Sequence, residues 1–347
     1  MMRVSRLAVA AAALLTVSVA APPLSAPAFA QKASASKAVI PSAALLEAQF
    51  AFLAKQTDGT VGVAVQKVGS SEIVTLNKGV TFPMASTFKV AVAARIFERI
   101  DKGELSLTQL VPVDPKVLVG SYGLAVMTPH DGLSLSVHNL LELMITISDN
   151  TSTDVLVQLA GGPAAVTDWL TRHGIKGQRV DANTANLIYR ALDITPGTGT
   201  FKQNIEAAFK ADPGIRERDE KRIPNTAFNN DPRDASTPEA MVQLLLLIES
   251  GKVLSADSTK ELLAIMGRCT TGEKRLKGLL PIGTVVAHKT GTLPSVANDV
   301  GFITLPDSSR FAIAVFVKGD SKGSETQERV IAEMARTAYD YYVLGGR

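Results

Sequence analysis

Hydrophobic and polar residues follow two different spacings along the chain. Through most of the middle, apolar residues recur every three or four positions, which predicts amphipathic helices. The helical stretches cover residues 43–55, 90–100, 137–147, 154–159, 164–172, 238–250 and 328–342. Short β-branched or aromatic runs predict strands at residues 60–65, 73–76, 285–289, 300–305 and 311–317. Strand signals therefore concentrate at the two ends of the chain.

This order of elements predicts an α/β protein of the α+β type. One antiparallel sheet is built from both termini and flanked by helices, and an all-helical lobe is inserted in the middle. We expect residues 43–85 and 276–347 to form the sheet domain and residues 86–275 the helical domain, with an inserted loop at about 188–226. A cleft between two such lobes is the natural place for a site.

The first thirty residues have the pattern of a secretory signal peptide. Two arginines precede an apolar run from Leu7 to Ala21, and residues 28–30 (Ala-Phe-Ala) form a small-residue cleavage site. We expect cleavage near Ala30-Gln31 and a tether over residues 31–42. The product is then periplasmic or secreted, with no membrane attachment after cleavage.

Charge and cysteine content narrow the possible functions. The chain carries a net charge of +3. Only Arg3 and Arg6 are charged within the predicted signal peptide, so the mature chain has a net charge of +1. Such a balance gives no indication of a nucleic-acid partner. Cys269 is the single cysteine, so no intramolecular disulfide is possible and packing has to provide the stability. Cys269 has no histidine near it in sequence, which favours a packing role over a thiol nucleophile.

Three short motifs occur in a fixed order. Residues 86–89 read Ser-Thr-Phe-Lys, residues 148–150 read Ser-Asp-Asn, and residues 289–291 read Lys-Thr-Gly. A Ser-x-x-Lys sequence alone is weak evidence, because many helices contain one with a solvated lysine. All three in this order, each at the end of a predicted element, are the signature of serine β-lactamases and penicillin-binding proteins.

The spacing of the first motif suits a nucleophile and its base. Ser86 and Lys89 are three residues apart at the start of a helical run, so their side chains lie on one face. A lysine close to other cations can lose its proton near neutral pH and activate the hydroxyl. We predict Ser86 as the nucleophile and Lys89 as its partner.

The other two motifs supply groups for the leaving atom and for the substrate. Ser148 is the candidate that relays a proton to the leaving nitrogen, and Asn150 offers a donor and an acceptor to a substrate amide. The charge of Lys289 attracts a substrate carboxylate, and Thr290 adds a hydroxyl for the same group. Asp149 is better explained as an acceptor for backbone N–H groups in its turn than as a chemical participant.

The end of this strand is also the expected place for an oxyanion hole. Gly291 permits close approach of a ligand to the backbone. The N–H groups of Thr292 and Ser86 are the predicted oxyanion donors.

On these motifs the chain resembles the class A serine β-lactamases from Ser42 to Tyr342. The resemblance implies an acyl-enzyme on Ser86 that opens the ring of penicillin- and cephalosporin-type substrates, without a cofactor or a metal. It also suggests Arg275, the last residue of Thr-Thr-Gly-Glu-Lys-Arg, as a second cation for the substrate carboxylate, and Tyr122 as an aromatic at the cleft mouth.

One departure from the family pattern concerns hydrolysis of the acyl-enzyme. Class A enzymes use a glutamate that activates water, and Thr184 stands at the corresponding position here. No glutamate occurs between Thr151 and Ile205. Glu206, Glu217 and Glu220 follow in the inserted stretch, where a solvated surface is the first interpretation.

The leading hypothesis is a β-lactamase that acylates and turns over. The alternative is a penicillin-binding protein or D-Ala-D-Ala peptidase-like hydrolase that is acylated but deacylates β-lactams poorly, which the missing glutamate makes plausible. A metal-dependent hydrolase is disfavoured because the four histidines show no ligand spacing. We expect a monomer.

Overall fold

The central sheet of the protein joins the two ends of the chain. The computed structural model describes residues 42–128 and 130–345, so the predicted signal peptide and residues 31–41 of the tether lie outside the described residues. The strands are β1 (Thr60–Lys67), β2 (Ile73–Leu76), β3 (Phe82–Pro83), β4 (Leu110–Pro112), β5 (Ser134–Ser136), β6 (Ala235–Ser236), β7 (Val286–Leu293), β8 (Val296–Thr304) and β9 (Arg310–Lys318).

Five of these strands form one antiparallel sheet in the order β2-β1-β9-β8-β7. The pairing of β1 with β9 runs from Thr60 opposite Lys318 to Lys67 opposite Phe311 and ties the two ends of the chain together. Strands β3 and β6, and likewise β4 and β5, form separate pairs. The predicted α+β architecture is confirmed.

Helices surround the sheet and fill the middle of the chain. They are α1 (Ala43–Leu53), α2 (Lys89–Asp101), α3 (Leu124–Met127), α4 (Val137–Thr146), α5 (Asn150–Leu159), α6 (Pro163–Arg172), α7 (Thr184–Ala191), α8 (Phe201–Ala211), α9 (Pro213–Glu220), α10 (Thr226–Asn229), α11 (Pro238–Glu249), α12 (Ala256–Gly267) and α13 (Ser324–Val343). None of the helices within the described residues is long and apolar enough to cross a membrane.

The two faces of the sheet bury different cores, as the period of two along a strand requires. On β9, Val315 and Val317 pack with residues of α1 and α13, whereas Ala314 and Phe316 face the large core of the helical part. Helix α2 is buried on nearly all sides within that large core. It follows a 3₁₀ helix, Ala85–Phe88, which carries the first motif.

The predicted insertion is a pair of short helices rather than an open loop. Thr200 caps α8 with a reciprocal capping box, and Pro213 starts α9. Tyr189, Ile194 and Ile215 form a small separate hydrophobic cluster that attaches these helices to α7.

Candidate active site

The turn that carries Ser86 is held by a buried side chain from the sheet. Asn298 on β8 donates through Nδ2 to the backbone oxygens of Pro83 (2.8 Å) and Met84 (2.9 Å). Ala85 adopts a positive φ of 47°, an uncommon conformation for a residue other than glycine. These contacts fix the chain as it enters the 3₁₀ helix, and Ser86 is left partly exposed among buried neighbours.

Lys89 lies one turn further on and is completely buried. Its Nζ donates to Ser148 O at 2.8 Å, Ser148 Oγ at 3.1 Å and Asn150 Oδ1 at 2.9 Å. Burial, and then the charge of Lys289, hold the pKa of the Lys89 amine well below its ordinary value, although nearby carboxylates oppose this. The first and second motifs therefore meet at this amine.

Ser148 stands between two lysines. Its Oγ lies 3.1 Å from Lys89 Nζ and 3.0 Å from Lys289 Nζ. Its backbone has a positive φ of 61°, and its carbonyl oxygen also accepts from Tyr122 Oη at 2.8 Å. The serine hydroxyl of the second motif is thus the point at which all three motifs converge.

The third motif forms the end of β7. Lys289 is fully buried and its Nζ also donates to Thr290 O at 2.8 Å. Burial, and to a lesser degree Arg275, lower the pKa of Lys289 to about 8, while Cys269 and Asp299 act in the opposite direction.

Gly291 lies directly against the turn that carries Ser86. A Cβ added there would stand 2.6 Å from Met84 O and 3.1 Å from Ser86 N, so only glycine permits this contact. The strand that continues into Thr292 therefore runs beside the backbone of Ser86.

Asp149 stabilises the loop that carries Tyr122. Its carboxylate accepts from the backbone N–H groups of Leu124 (2.9 Å) and Ser152 (2.6 Å), in agreement with the structural role expected for it. A Cβ at Gly123 would lie only 2.0 Å from Asp149 Oδ2. Tyr122 is exposed over part of its ring while its hydroxyl reaches Ser148 O, which places it beside the second motif.

Arg275 is buried behind the end of β7, with 5% of its surface exposed. Nη1 donates to Gly291 O and Asn298 O, both at 3.0 Å, and Nη2 donates to Thr292 Oγ1 at 2.8 Å. Nε faces Glu328 at 3.3 Å. The guanidinium therefore holds the end of β7, the strand whose motif is predicted to bind the substrate. Direct contact between Arg275 and a substrate carboxylate stays a prediction.

Thr184, the residue predicted to stand at the position of the family glutamate, is the first residue of α7 and is buried. Its backbone N donates to Asp154 Oδ1 at 2.6 Å, and Ala185 N donates to Oδ2 at 3.1 Å. Burial raises the pKa of Asp154, and the charge of Lys89 opposes that rise. Asp154 thus fixes the start of α7 close to the buried lysine.

The three glutamates of the insertion are exposed on α8 and α9. Glu206 lies 4.0 Å from Lys202 on α8, and Glu217 of α9 lies 2.5 Å from Lys221, the residue that follows that helix. These contacts agree with the solvated surface that the charged sequence indicates.

Two positioning residues were not identified from the sequence. Asn298 and Asp154 hold the turn before Ser86 and the start of α7. Asn298, with Asp299 after it, interrupts an otherwise apolar strand, and both residues are fully buried. Asn298 and Asp299 could have been recognised from this interruption, because polar groups buried in an apolar strand require hydrogen-bond partners.

Comparison with known proteins identifies the family of this chain. A model of the beta-lactamase enzyme family matches residues 45–342. The extended-spectrum beta-lactamase PER-1 of Pseudomonas aeruginosa is 33% identical over 305 residues, which cover 86% of this chain and 87% of that protein. The crystal structure of a beta-lactamase from Chitinophaga pinensis has a TM-score of 0.69 at 32% identity, with 86% and 99% of the two chains covered.

The TLA-1 extended-spectrum beta-lactamase structure has a TM-score of 0.70 at 30% identity and covers 86% of this chain and 98% of its own. Ancestral class A beta-lactamases align equally well, with a TM-score of 0.69 at 29% identity. The chain therefore belongs to the beta-lactamase enzyme family, in its class A serine branch.

Proposed function

We propose that this β-lactamase opens the β-lactam ring of penicillin- and cephalosporin-type antibiotics through an acyl-enzyme on Ser86. The observation that carries the proposal is the convergence of Lys89 and Lys289 on the Ser148 hydroxyl beside the Ser86 turn. It provides a nucleophile, a base, a proton relay and a cation within one cluster.

Acylation uses the depressed pKa of Lys89. The neutral amine takes the proton of the Ser86 hydroxyl as Oγ attacks the carbonyl carbon of the lactam. The N–H groups of Ser86 and Thr292 hold the oxyanion. The proton then passes from Lys89 through Ser148 to the lactam nitrogen, the C–N bond breaks, and an ester on Ser86 remains.

The substrate is oriented by groups on both sides of the cleft. Lys289 and Thr290 bind the carboxylate, with Arg275 behind them, and Gly291 leaves room for the ligand against the strand. Asn150 contacts the amide of the substrate side chain, and Tyr122 lies beside the mouth of the cleft. Lys289 is suited to this role because its charge is directed into a site shielded from bulk water.

Hydrolysis of the ester proceeds without the family glutamate. Once its proton has passed to the leaving nitrogen, Lys89 is neutral again, and we propose that it activates the hydrolytic water. Two observations support this role. Thr184 has no titratable side chain, and Lys89 is a buried amine one turn along the chain from Ser86 whose pKa is held well below its ordinary value. Two carboxylates near Lys89, Asp149 and Asp154, have both oxygens engaged by backbone N–H groups.

The alternative, a penicillin-binding protein or D-Ala-D-Ala peptidase-like hydrolase that stays acylated, is not favoured, because the relatives at 33% and 29% identity are named beta-lactamases.

We also propose that residues 1–30 are a signal peptide and that the mature chain is a periplasmic or secreted monomer. We propose the same two domains as before, a sheet domain of residues 43–85 with 276–347 and a helical domain of residues 86–275. The two hydrophobic cores on opposite faces of the sheet support this division.

Hydrolysis of benzylpenicillin by the purified mature chain tests the proposal. We expect many turnovers per molecule, with Ser86→Ala inactive and unlabelled by a fluorescent penicillin. Undiminished labelling of Ser86→Ala would contradict the assignment of the nucleophile.

A further inference from the structure

The buried thiol of Cys269 is linked through Thr271 to Thr290, and the proposed reaction gives neither the thiol nor Thr271 a role. Cys269 is 3% exposed, and its Sγ is 3.3 Å from Thr271 Oγ1. Thr271 Oγ1 is in turn 2.6 Å from Thr290 Oγ1. The chain therefore ends at a hydroxyl to which the proposed function gives a role in binding the substrate carboxylate.

On its other side the thiol meets an ion pair. His288 and Asp299 are fully buried, and His288 Nδ1 lies 2.8 Å and 3.0 Å from the two carboxylate oxygens. The second ring nitrogen, Nε2, is buried and has no hydrogen-bond partner of ordinary geometry in the described chain. It faces the Cys269 side chain, so that the two groups alter each other's pKa.

We propose that Cys269 is a positioning residue whose protonation state sets the direction of the hydroxyl hydrogens at Thr271 and Thr290, and thereby the affinity of the cleft for a substrate carboxylate. This inference rests on the proposed function of Thr290.

The direction of each hydroxyl hydrogen depends on how many hydrogens the Cys269 thiol, the Thr271 hydroxyl and the Thr290 hydroxyl can donate. A neutral thiol can donate to Thr271 O, at 3.8 Å, or to Thr271 Oγ1, at 3.3 Å. When it donates to Oγ1, Thr271 donates to Thr290, and the Thr290 hydrogen is free for the substrate. A thiolate can only accept, so Thr271 donates to sulfur and Thr290 donates to Thr271. The lone pairs of Thr290 then face the substrate carboxylate, which is repelled. Either oxygen of the 2.6 Å pair can act as donor, so the geometry permits both states.

The charges around the thiol place the switch near neutral pH. Burial opposes the thiolate, but contacts with His288 and Lys289 outweigh it and lower the pKa of Cys269 to about 7. Burial likewise opposes the imidazolium, yet Asp299 raises the pKa of His288 to about 9. The thiol thus loses its proton as the pH rises through about 7, while His288 remains charged.

The other ionic groups near the thiol are engaged elsewhere. Lys277 Nζ donates to Cys269 O at 3.1 Å, and Arg275 holds β7. Arg268 turns outward to Glu142 and Glu261, at 2.7 Å and 3.4 Å. Cys269 is therefore the group of this cluster that changes charge near pH 7 and contacts the hydroxyl chain directly.

The test compares the second-order rate of Ser86 acylation by benzylpenicillin below and above the pKa of Cys269. We expect a decrease of about tenfold across this range, the effect of one hydrogen bond to a charged group. Cys269→Ser should lack this decrease, because a serine hydroxyl does not ionise there. Any slowing that remains in the variant comes from Lys289, whose pKa falls further once the thiolate that raises it is gone. Benzylpenicillin methyl ester, which has no carboxylate, should lack it as well.

Thr271→Val separates this role from a purely structural one. It breaks the chain but leaves the thiol, whose titration is visible in the ultraviolet because Cys269 is the single cysteine. The thiolate should still form while the acylation rate no longer follows it. The same decrease in Cys269→Ser as in the wild type, or in the methyl ester as in benzylpenicillin, would overturn the proposal. No acylation of the wild type at any pH would remove the proposed function on which it rests.

Discussion

Lys89 and Lys289 direct their ammonium nitrogens at one oxygen, the hydroxyl of Ser148, from 3.1 Å and 3.0 Å. Two buried cations this close destabilise each other, so the protein favours the state in which one of them is neutral. Burial and the charge of Lys289 together hold the pKa of Lys89 well below its ordinary value. The arrangement proposed to bind an anionic substrate therefore also prepares the proposed base.

Replacing Lys89 tests its role as a base. Arginine retains the charge but does not lose its proton, so Lys89→Arg should slow acylation about a hundredfold to ten-thousandfold. Lys89→Met should show a similar loss without adding bulk to the buried site. Stopped-flow labelling by a fluorescent penicillin measures the rate, and urea unfolding checks that each variant folds. A folded variant with a normal rate would exclude Lys89 as the base.

Removing the charge of Lys289 should change the pH dependence of acylation. Lys89 acts in its neutral form, so its pKa sets the acidic limb of the pH profile. Without Lys289 that pKa rises, and in Lys289→Met the acidic limb should move to higher pH. Lys202→Met, which removes an exposed cation on α8, is the matched control and should leave the limb in place. An unmoved limb in Lys289→Met would show that the two lysines do not interact.

Arg275→Ala should affect both binding and stability. The substitution leaves Gly291 O and Asn298 O without their partner and Glu328 without its cation, which we expect to cost about 3 kcal/mol in the free energy of unfolding. KM for benzylpenicillin should rise about tenfold as the end of β7 loosens. An unchanged KM in a destabilised variant would limit Arg275 to a structural role.

Thr184→Glu should restore the carboxylate that the family uses for deacylation. If hydrolysis of the ester limits turnover, kcat should increase and the acyl-enzyme should become shorter-lived. Thr184→Gln, of the same size but without a base, is the control for any change in the packing at the start of α7. Equal lifetimes in the two variants would show that a carboxylate at this position cannot reach the ester.

Much of the fold could be predicted because its elements have strong local patterns. The β-rich run of β1 and the apolar spacing of α2 and α11 identified elements whose observed limits differ from the predicted ones by at most two residues. Helices α7 and α12 were not predicted, although Asn183 and Ser255 cap them. Strand β7 was predicted to end at Lys289 but continues to Leu293, because pairing with β8 extends it.

The site was predictable where chemistry depends on motif and order, and less so where it depends on long-range contacts. The meeting of Lys89, Ser148 and Lys289 follows from three short motifs. Other contacts depend on how distant segments pack, and no local pattern specifies them. They are the hydrogen bonds of Arg275 and the hydrogen bond from Asn298 to the turn before Ser86.

The most direct test of the central claim is intact-protein mass spectrometry of the mature chain mixed with benzylpenicillin, followed from seconds to hours together with product release. We predict a transient adduct of one penicillin on Ser86 with many product molecules per enzyme, and no adduct in Ser86→Ala. A stable stoichiometric adduct without continued product release would contradict turnover and would identify an acylated binding protein instead.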